Sequence, residues 1–497
     1  MILHAANLRL YSSFFLSFAL ILLVPATVSA WLNQGSIFDT STEPWAFFIP
    51  IFLTLALGIF LLLFSTSDQG SLHITVRFGF LIVTTFWILA AAIGCLPFLI
   101  EIKGISFTDA YFESMSGFTT TGATILPDVE SLGPGLALWR CMTQWLGVMG
   151  IIILFIAVLP TFGVSGHNLF RAEIPGGNIV ERIKPRIAET AKSLWKVYLL
   201  LTVLAGLLLW AAGMPLYDAV CHSLTTLSTG GFSIKNQGVA AYDSFLIELI
   251  IIFFMLIAGS SFSLHYRLFH GENSYSGNME FKAYFLILFF FTITVFATLI
   301  IQSPEYISIG DALRQAIFQV VSIATTTGFA TTDYNHWPVV TQLMLLILMF
   351  IGGCTGSTGG SIKVLRLVVS LKAAIRELSL VANPRQILTI KAGEKKISSE
   401  MAVNISSFIV LFIVIFILGA LCLTMTGMDM VSALTGAAAA IGNVGPGLGE
   451  VGPASTYASL TPFAKWVLVI LMLLGRLELY TVLALLLPWL QSTKISR

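Results

Sequence analysis

Thr120-Thr121-Gly122-Ala123, Ser228-Thr229-Gly230-Gly231, Thr326-Thr327-Gly328-Phe329 and Ala440-Ile441-Gly442-Asn443 punctuate an otherwise apolar chain. Their separation of roughly 100 residues implies one unit copied four times and set around a common axis. Glycine allows backbone conformations closed to other residues. Four such loops meeting at an axis can turn carbonyl oxygens inward and replace the water shell of a small cation. The pattern predicts a cation pathway built from the four loops.

Composition fixes the solvent. Hydrophobic residues make up 57% of the chain and charged residues 10%, with a mean hydropathy of +0.91, against about 25% charged residues in a soluble domain. The expected fold is an all-α polytopic membrane protein. A net charge of +1 gives no electrostatic footprint for nucleic acid. Cys95, Cys141, Cys221, Cys354 and Cys422 lie in or beside apolar stretches with no CxxC spacing, so packing is their expected role, with neither a disulfide framework nor a zinc site. No HExxH, GxSxG or dinucleotide fingerprint stands in a usable context, so neither catalysis nor a cofactor is expected. An intramembrane hydrolase or lipid-modifying enzyme is the alternative from another class, and ion flux through the purified protein without added substrate separates the two.

Segments long enough to cross a bilayer, about 20 residues each, fall near 12–32, 45–64, 76–100, 136–160, 194–213, 245–267, 282–301, 339–368, 402–425 and 462–490. Between them from the third onward lie shorter apolar segments, 108–121, 217–229, 311–327 and 429–441. Too short to cross, these read as re-entrant half-helices leading into the glycine loops. Asp109, Asp218 and Asp429 stand 12 or 13 residues before the loop glycine, where an Asp would cap a helix. Asp311 stands 17 residues before Gly328, which predicts one extra turn in the third copy. The chain divides into an N-terminal two-helix hairpin (1–70) and four pore repeats (71–160, 161–270, 271–395 and 396–497). Leu10 to Val24 followed by Val28-Ser29-Ala30 also has the build of a secretory leader with a small-residue cleavage site.

Basic residues set the orientation. Arg171, Arg182, Lys184, Arg186, Lys192 and Lys196 crowd the 161–196 connection, and Lys363, Arg366, Lys372, Arg376, Arg385, Lys391, Lys395 and Lys396 the 361–400 connection. The positive-inside rule makes both cytoplasmic, which turns the glycine loops outward and leaves both termini inside.

The run Tyr111-Phe112-Glu113-Ser114-Met115-Ser116-Gly117-Phe118-Thr119-Thr120-Thr121-Gly122-Ala123-Thr124, the segments Gln144-Trp145-Leu146-Gly147 and Met149-Gly150, and Pro185-Arg186-Ile187-Ala188-Glu189-Thr190-Ala191-Lys192 resemble the Trk/Ktr/HKT superfamily of potassium transporters. The remaining glycine segments, the Gly352–Gly360 run and Gly475-Arg476 also fit, and the two extra N-terminal spans favour the TrkH/TrkG type. The resemblance implies potassium uptake across a bacterial inner membrane, a homodimer with one pore per subunit, and a cytoplasmic nucleotide-binding ring of the TrkA type as regulator. Within transport, a Na⁺- or H⁺-coupled symporter is the alternative to a gated, channel-like pathway.

The expected K⁺ filter comprises Thr120, Thr121, Gly122, Ser228, Thr229, Gly230, Thr326, Thr327, Gly328, Ile441, Gly442 and Asn443. Ile441 stands where the other three copies have Thr, so the filter is not expected to be chemically four-fold. Glu113 reads as a carboxylate bracing the filter from behind rather than contacting the ion, His222 as a packed polar residue rather than a ligand, and Glu248 as facing either a water-filled crevice or another span. Gly352-Gly353-Cys354-Thr355-Gly356-Ser357-Thr358-Gly359-Gly360 fails the phosphate-loop pattern. It reads as a pore-lining loop rather than a plain hinge, and the resemblance makes it a gate at Gly352, Gly353, Gly356, Gly359 and Gly360. Arg476, too deep to snorkel, is expected either in a salt bridge to Glu113 or Glu248 or, as the resemblance implies, as a fixed positive charge beside that gate. Beyond a docked ring, the basic connections can also contact anionic membrane lipid.

A single cysteine replacing Lys184 or Lys391, in a background lacking reactive native cysteines, should be labelled by an impermeant thiol reagent only from the cytoplasmic side. Labelling in intact cells would reverse the orientation.

Overall fold

The apolar runs fold as helices, because a backbone inside a bilayer has no water to satisfy its polar groups. The computed structural model describes residues 5–32, 44–65, 76–158, 187–302, 308–386, 388–393 and 395–486. Helices α1 (Ala5–Leu32) and α2 (Pro44–Leu63) pack along each other. Gly58 lets α2 close onto Leu16, and the Ser12 hydroxyl donates to the Gly58 carbonyl at 2.8 Å.

Four units follow. The first holds α3 (Val76–Gly94), α4 (Leu96–Glu101), α5 (Phe107–Phe118) and α6 (Pro134–Val158). The second holds α7 (Ile187–Ala211), α8 (Leu216–Leu227), α9 (Phe245–Ala258) and α10 (Phe262–Phe269). The third holds α11 (Met279–Gln302), α12 (Ile309–Ala324), α13 (Val339–Ile351) and α14 (Val364–Ala382), followed by the antiparallel strands β1 (Ile390–Ala392) and β2 (Lys395–Ile397). The fourth holds α15 (Ser399–Thr424), α16 (Met430–Gly442), α17 (Pro462–Arg476) and α18 (Tyr480–Leu486).

Helices α5, α8, α12 and α16 are the expected half-helices, with 12, 12, 16 and 13 residues. The third is one turn longer, as the position of Asp311 predicts. Their caps differ from expectation. Only Asp429 is itself an N-cap, accepting from the N–H groups of Val431 and Ser432. Ser106 and Ser308 cap α5 and α12, each bonded in return to the carboxylate of Asp109 or Asp311 one turn in. Asp218 lies in the first turn of α8 behind Pro215 and accepts from the Tyr242 hydroxyl. A carboxylate in a first turn is favoured by the helix dipole without being the cap, which is why spacing alone confuses the two positions.

The ten expected spans are not ten continuous helices. Among the described residues six helices are long and apolar enough to cross, and α9 with α10 adds a seventh only as a pair bent by 99°. The expected 245–267 span breaks after Ala258, where the Phe262 N–H bonds to the Gly356 carbonyl instead of continuing the helix. The 339–368 span stops at Ile351 and resumes at Val364, and the 462–490 span is interrupted between Arg476 and Tyr480, where Glu478 takes a φ of 51°.

Charged side chains knit the units together. The Glu113 carboxylate, on α5, accepts from Arg140 Nε of α6 at 2.8 Å, and also from Thr124 Oγ1 and the Ile125 N–H. Arg140 reaches on to the Ser233 carbonyl of the second unit and lies over the Phe232 ring. Glu248 of α9 binds Arg314 of α12 through two hydrogen bonds of 2.7 and 2.9 Å, so it faces a neighbouring half-helix and not a crevice. Lys465 of α17 pairs with Asp109 of α5 at 2.6 Å, joining the last unit to the first, and Arg366 of α14 pairs with Glu478 at 2.7 Å.

Both members of the Glu113–Arg140 pair are about 1% exposed. Glu113→Ala leaves a buried guanidinium without its counter-charge, at a cost of about 3–5 kcal/mol. The variant should unfold in detergent at a clearly lower temperature than the parent, and an unchanged midpoint would contradict the bracing role.

Candidate cation pathway

Each half-helix stops the same way. In α5 the Thr120 N–H bonds to the Gly117 carbonyl and the Thr121 N–H to that of Ser116. The pairs Thr229 to Thr226 with Gly230 to Thr225, Thr326 to Ile323 with Thr327 to Ser322, and Asn443 to Ala440 with Val444 to Ala439 repeat the pattern. This is the Schellman termination, whose turning residue adopts the left-handed conformation. Thr120, Thr229, Thr326 and Asn443 have φ of 54°, 50°, 59° and 53°. A β-branched residue is a true outlier there, at a cost on the order of 1–3 kcal/mol each. Strain of this kind at the three threonines, with the same left-handed turn at the fourth matched position, marks a geometry the surroundings enforce.

The shared termination gives a register that differs from the glycine alignment at two places. Two residues after each turning residue comes a glycine with positive φ, namely Gly122 (81°), Gly231 (76°), Gly328 (79°) and Gly445 (104°). In the second unit Gly231, not Gly230, is therefore equivalent to Gly122. In the fourth, Gly445 takes that place, while Gly442 is the last residue of α16 and Ile441 lies inside it. The fourth copy departs from the others at Asn443, where they have Thr. Asparagine tolerates the left-handed region better than any β-branched residue. N-cap spacing carries the same register: fourteen residues from Ser106 to Thr120, Pro215 to Thr229 and Asp429 to Asn443, and eighteen from Ser308 to Thr326.

These glycines interlock. A Cβ on Gly122 would collide with the carbonyl oxygen of Gly230, one on Gly231 with that of Thr327, and one on Gly328 with that of Val444. A Cβ on Gly445 would lie 2.5 Å from the carbonyl oxygen of Thr121, which closes the circle. Four loops thus form a ring in which each carbonyl abuts the next loop's glycine. The C-termini of the four half-helices end at this ring, each carrying roughly half an elementary negative charge from its dipole. Carbonyl oxygens and converging negative helix ends suit a dehydrated cation.

Side chains hold the ring from outside. Asn443 Nδ2 donates to Thr121 Oγ1 and to the Met472 carbonyl; Thr121 Oγ1 meets Thr119 Oγ1 at 2.8 Å, and Thr119 donates to the Met115 carbonyl. Thr327 and Thr325 repeat this hydroxyl ladder in the third unit. Gln144, unremarked in the sequence beyond its motif, clasps the second loop. Its Nε2 donates to the Gly230 carbonyl at 2.6 Å, and its Oε1 accepts from the Phe232 N–H at 3.1 Å. The only sequence signal for it is an uncharged polar side chain in the middle of an apolar span. His222 is packed as expected, between the Asp218 carbonyl and Ser233 Oγ.

A cavity of about 520 Å³ opens beyond the ring, lined among others by Gly122, Gly231, Gly328, Lys235, Thr331 and Tyr457. At its rim Asn236 Nδ2 donates to Asp128, a hydrogen bond that holds the Asp128 carboxyl below its usual range. The turning residues instead meet the Gly352–Gly360 loop. Thr229 Oγ1 bonds to Thr358 Oγ1 at 3.2 Å, and the Gly360 N–H donates to Thr326 Oγ1 at 2.9 Å. Arg476 donates to the Thr358 carbonyl at 3.1 Å and to that of Gly147 at 3.3 Å. Glu113 and Glu248, the partners expected for an Arg476 salt bridge, are bonded to Arg140 and Arg314 instead. The structure thus brings Arg476, the loop and the ring together. Most of the basic 161–196 connection lies outside the described residues.

Comparison with known proteins agrees with this architecture. The family described as "TrkH: Cation transport protein" matches residues 45–497. The Trk system potassium uptake protein TrkH of Salmonella typhimurium is 42% identical over 447 residues, 89% of this chain and 91% of that protein. TrkG of Escherichia coli K12 is 32% identical over 471 residues, 94% of each. The crystal structure of the potassium transporter TrkH from Vibrio parahaemolyticus superposes with a TM-score of 0.85 at 37% identity, covering 98% of this chain and 99% of that one. The chain belongs to the TrkH family of cation transport proteins.

Proposed function

We propose that this chain takes up potassium across a bacterial inner membrane, through a pathway that passes the ring of Thr121, Gly230, Thr327 and Val444 carbonyls. The observation that carries this reading is the closed ring itself: four loops, each turned by a left-handed residue at the same place, packed too tightly for any side chain at the four glycines. The ring acts as the selectivity filter, with Thr120, Thr229, Thr326 and Asn443 at its inner edge. The Gly352–Gly360 loop, bonded to two of those four residues, is the gate, and Arg476 is a fixed positive charge that raises the barrier beside it. The family's potassium transporters and the absence of any catalytic motif in the sequence support transport over catalysis. The resemblance further supports a homodimer, a TrkA-type nucleotide-binding ring on the basic cytoplasmic face with lipid around it, and cytoplasmic termini.

Reversal potentials of the purified protein under imposed Na⁺ and pH gradients test the mode of transport. A passive pathway follows the K⁺ gradient alone, and a shift with either other gradient means symport.

Gly122→Ala and Gly445→Ala should each lower the K⁺ over Na⁺ selectivity ratio at least tenfold, about 1.4 kcal/mol. Both variants keeping parental selectivity, while inserting normally, would remove the ring from the filter role. Arg476→Ala should raise K⁺ flux and weaken its dependence on the regulatory partner; a well-folded variant slower than the parent would rule out the barrier.

A further inference from the structure

Glu280 sits in the first turn of α11 and is about 9% exposed. A carboxylate buried at the end of a membrane-spanning helix is costly without partners. One of its oxygens, Oε1, accepts two backbone hydrogen bonds, from the Thr355 N–H at 2.6 Å and the Leu365 N–H at 3.2 Å. Thr355 lies inside the glycine-rich loop, and Leu365 lies in the first turn of α14, directly after it. The first N–H groups of a helix have no partner within the helix. Lys363, the N-cap of α14, makes no side-chain cap, and the first turn of α14 holds no acidic residue. Glu280 therefore supplies, from another helix, the acceptor and the negative charge that this N-terminus lacks.

The loop is a series of left-handed turns. It begins at Gly352 (φ 71°), turns again at Gly356 (φ 78°), and leaves through Ser361 and Lys363 with φ of 64° and 78°. Its limbs are pinched together where the N–H groups of Lys363 and Val364 bond to the carbonyls of Ile351 and Gly353. The pinch makes the loop a unit, but it does not fix how far that unit reaches toward the ring. On one side the loop is held by the break after α9, where Cys354 and Thr358 donate to the Gly259 and Ala258 carbonyls and Phe262 to that of Gly356; on the other, Glu280 bonds the loop at Thr355 and the helix behind it at Leu365 to the same point on α11.

We propose that Glu280 is the positioning residue of the gate: its carboxylate holds the Gly352–Gly360 loop at the height where Thr358 and Gly360 meet the turning residues of the ring. The inference rests on the reading of that loop as a gate. Without this acceptor the loop drops away from the ring and the pathway opens more often.

The full-length protein in potassium-loaded liposomes, without any partner, tests this through four variants. Glu280→Ala removes the acceptor, Glu280→Met removes it while keeping the side-chain volume, Glu280→Gln keeps an acceptor oxygen without the charge, and Arg476→Ala is the reference for a gate weakened elsewhere. Glu280→Met, and Glu280→Ala where it folds, should raise K⁺ flux at least threefold with an unchanged K⁺ over Na⁺ ratio. A cysteine substituted for Ser357 in these backgrounds should react faster with a small thiol reagent than in the parent. Glu280→Gln should stay within twofold of the parent in both measurements. Flux that rises in Arg476→Ala but not in Glu280→Met overturns the role of Glu280 and leaves the gate standing. Flux that rises in neither overturns the gate and the anchor together. A Glu280→Gln variant as open as Glu280→Met overturns the proposal that the two accepted hydrogen bonds hold the loop, since Gln keeps an acceptor oxygen at the same place.

Discussion

The contact on which the rest depends is that of a glycine Cα against a neighbouring carbonyl oxygen, made four times in a circle. No residue with a Cβ fits at Gly122, Gly231, Gly328 or Gly445 without moving the next loop. Because the circle closes, the displacement of one loop is passed to the other three. Many features away from the axis serve to keep these contacts: Schellman ends that aim the chain, hydroxyl ladders that support it, and the buried Glu113–Arg140 pair that fixes the first half-helix to the second loop. The strain of threonine in a left-handed conformation persists for the same reason, since relaxing one residue would open the ring.

The four units agree in backbone but not in chemistry. Units one and three carry the ladders Thr119–Thr121 and Thr325–Thr327. Unit two has Gly230 at the corresponding place, and Gln144 supports it from α6. Unit four has Val444 there and relies on Asn443, which reaches both Thr121 and Met472. The Gly230 carbonyl already accepts a short hydrogen bond from an amide, which leaves less negative potential at its oxygen than at one without a donor. The ring is nearer to two-fold than to four-fold in its chemistry.

Much of this was legible in the sequence, and the rest failed for definable reasons. Repeat period, half-helix lengths and the extra turn before Thr326 follow from spacing, which a helix preserves. In the fourth loop, aligning on the glycine after an apolar residue selects Gly442, whereas the backbone is set by the left-handed residue, here Asn443, with its glycine two positions later. Asp109, Asp218 and Asp311 passed for caps because a first-turn carboxylate and an N-cap differ by only a few positions. The partners of Glu113, Glu248 and Asp109 lie 27, 66 and 356 residues away in sequence, and no local pattern encodes such pairs. Continuity of hydrophobicity through Ala258 to Phe262 concealed the bend between α9 and α10, since composition reports what surrounds a segment and not whether its hydrogen bonds run straight.

That bend has a consequence for hydration. Where α9 breaks, the Ala258 and Gly259 carbonyls lose their helical partners and accept instead from the N–H groups of Thr358 and Cys354, while the Phe262 N–H finds the Gly356 carbonyl. The broken helix and the glycine loop complete each other's hydrogen bonding. Withdrawing the loop strands polar backbone groups on both sides at a depth where lipid can satisfy neither. Only water can take the place of the departing partner, so the space can empty of protein only as it floods. With this loop as the proposed gate, a dry, half-open conformation is the costly one, and the passage would be held to two states, sealed or wet.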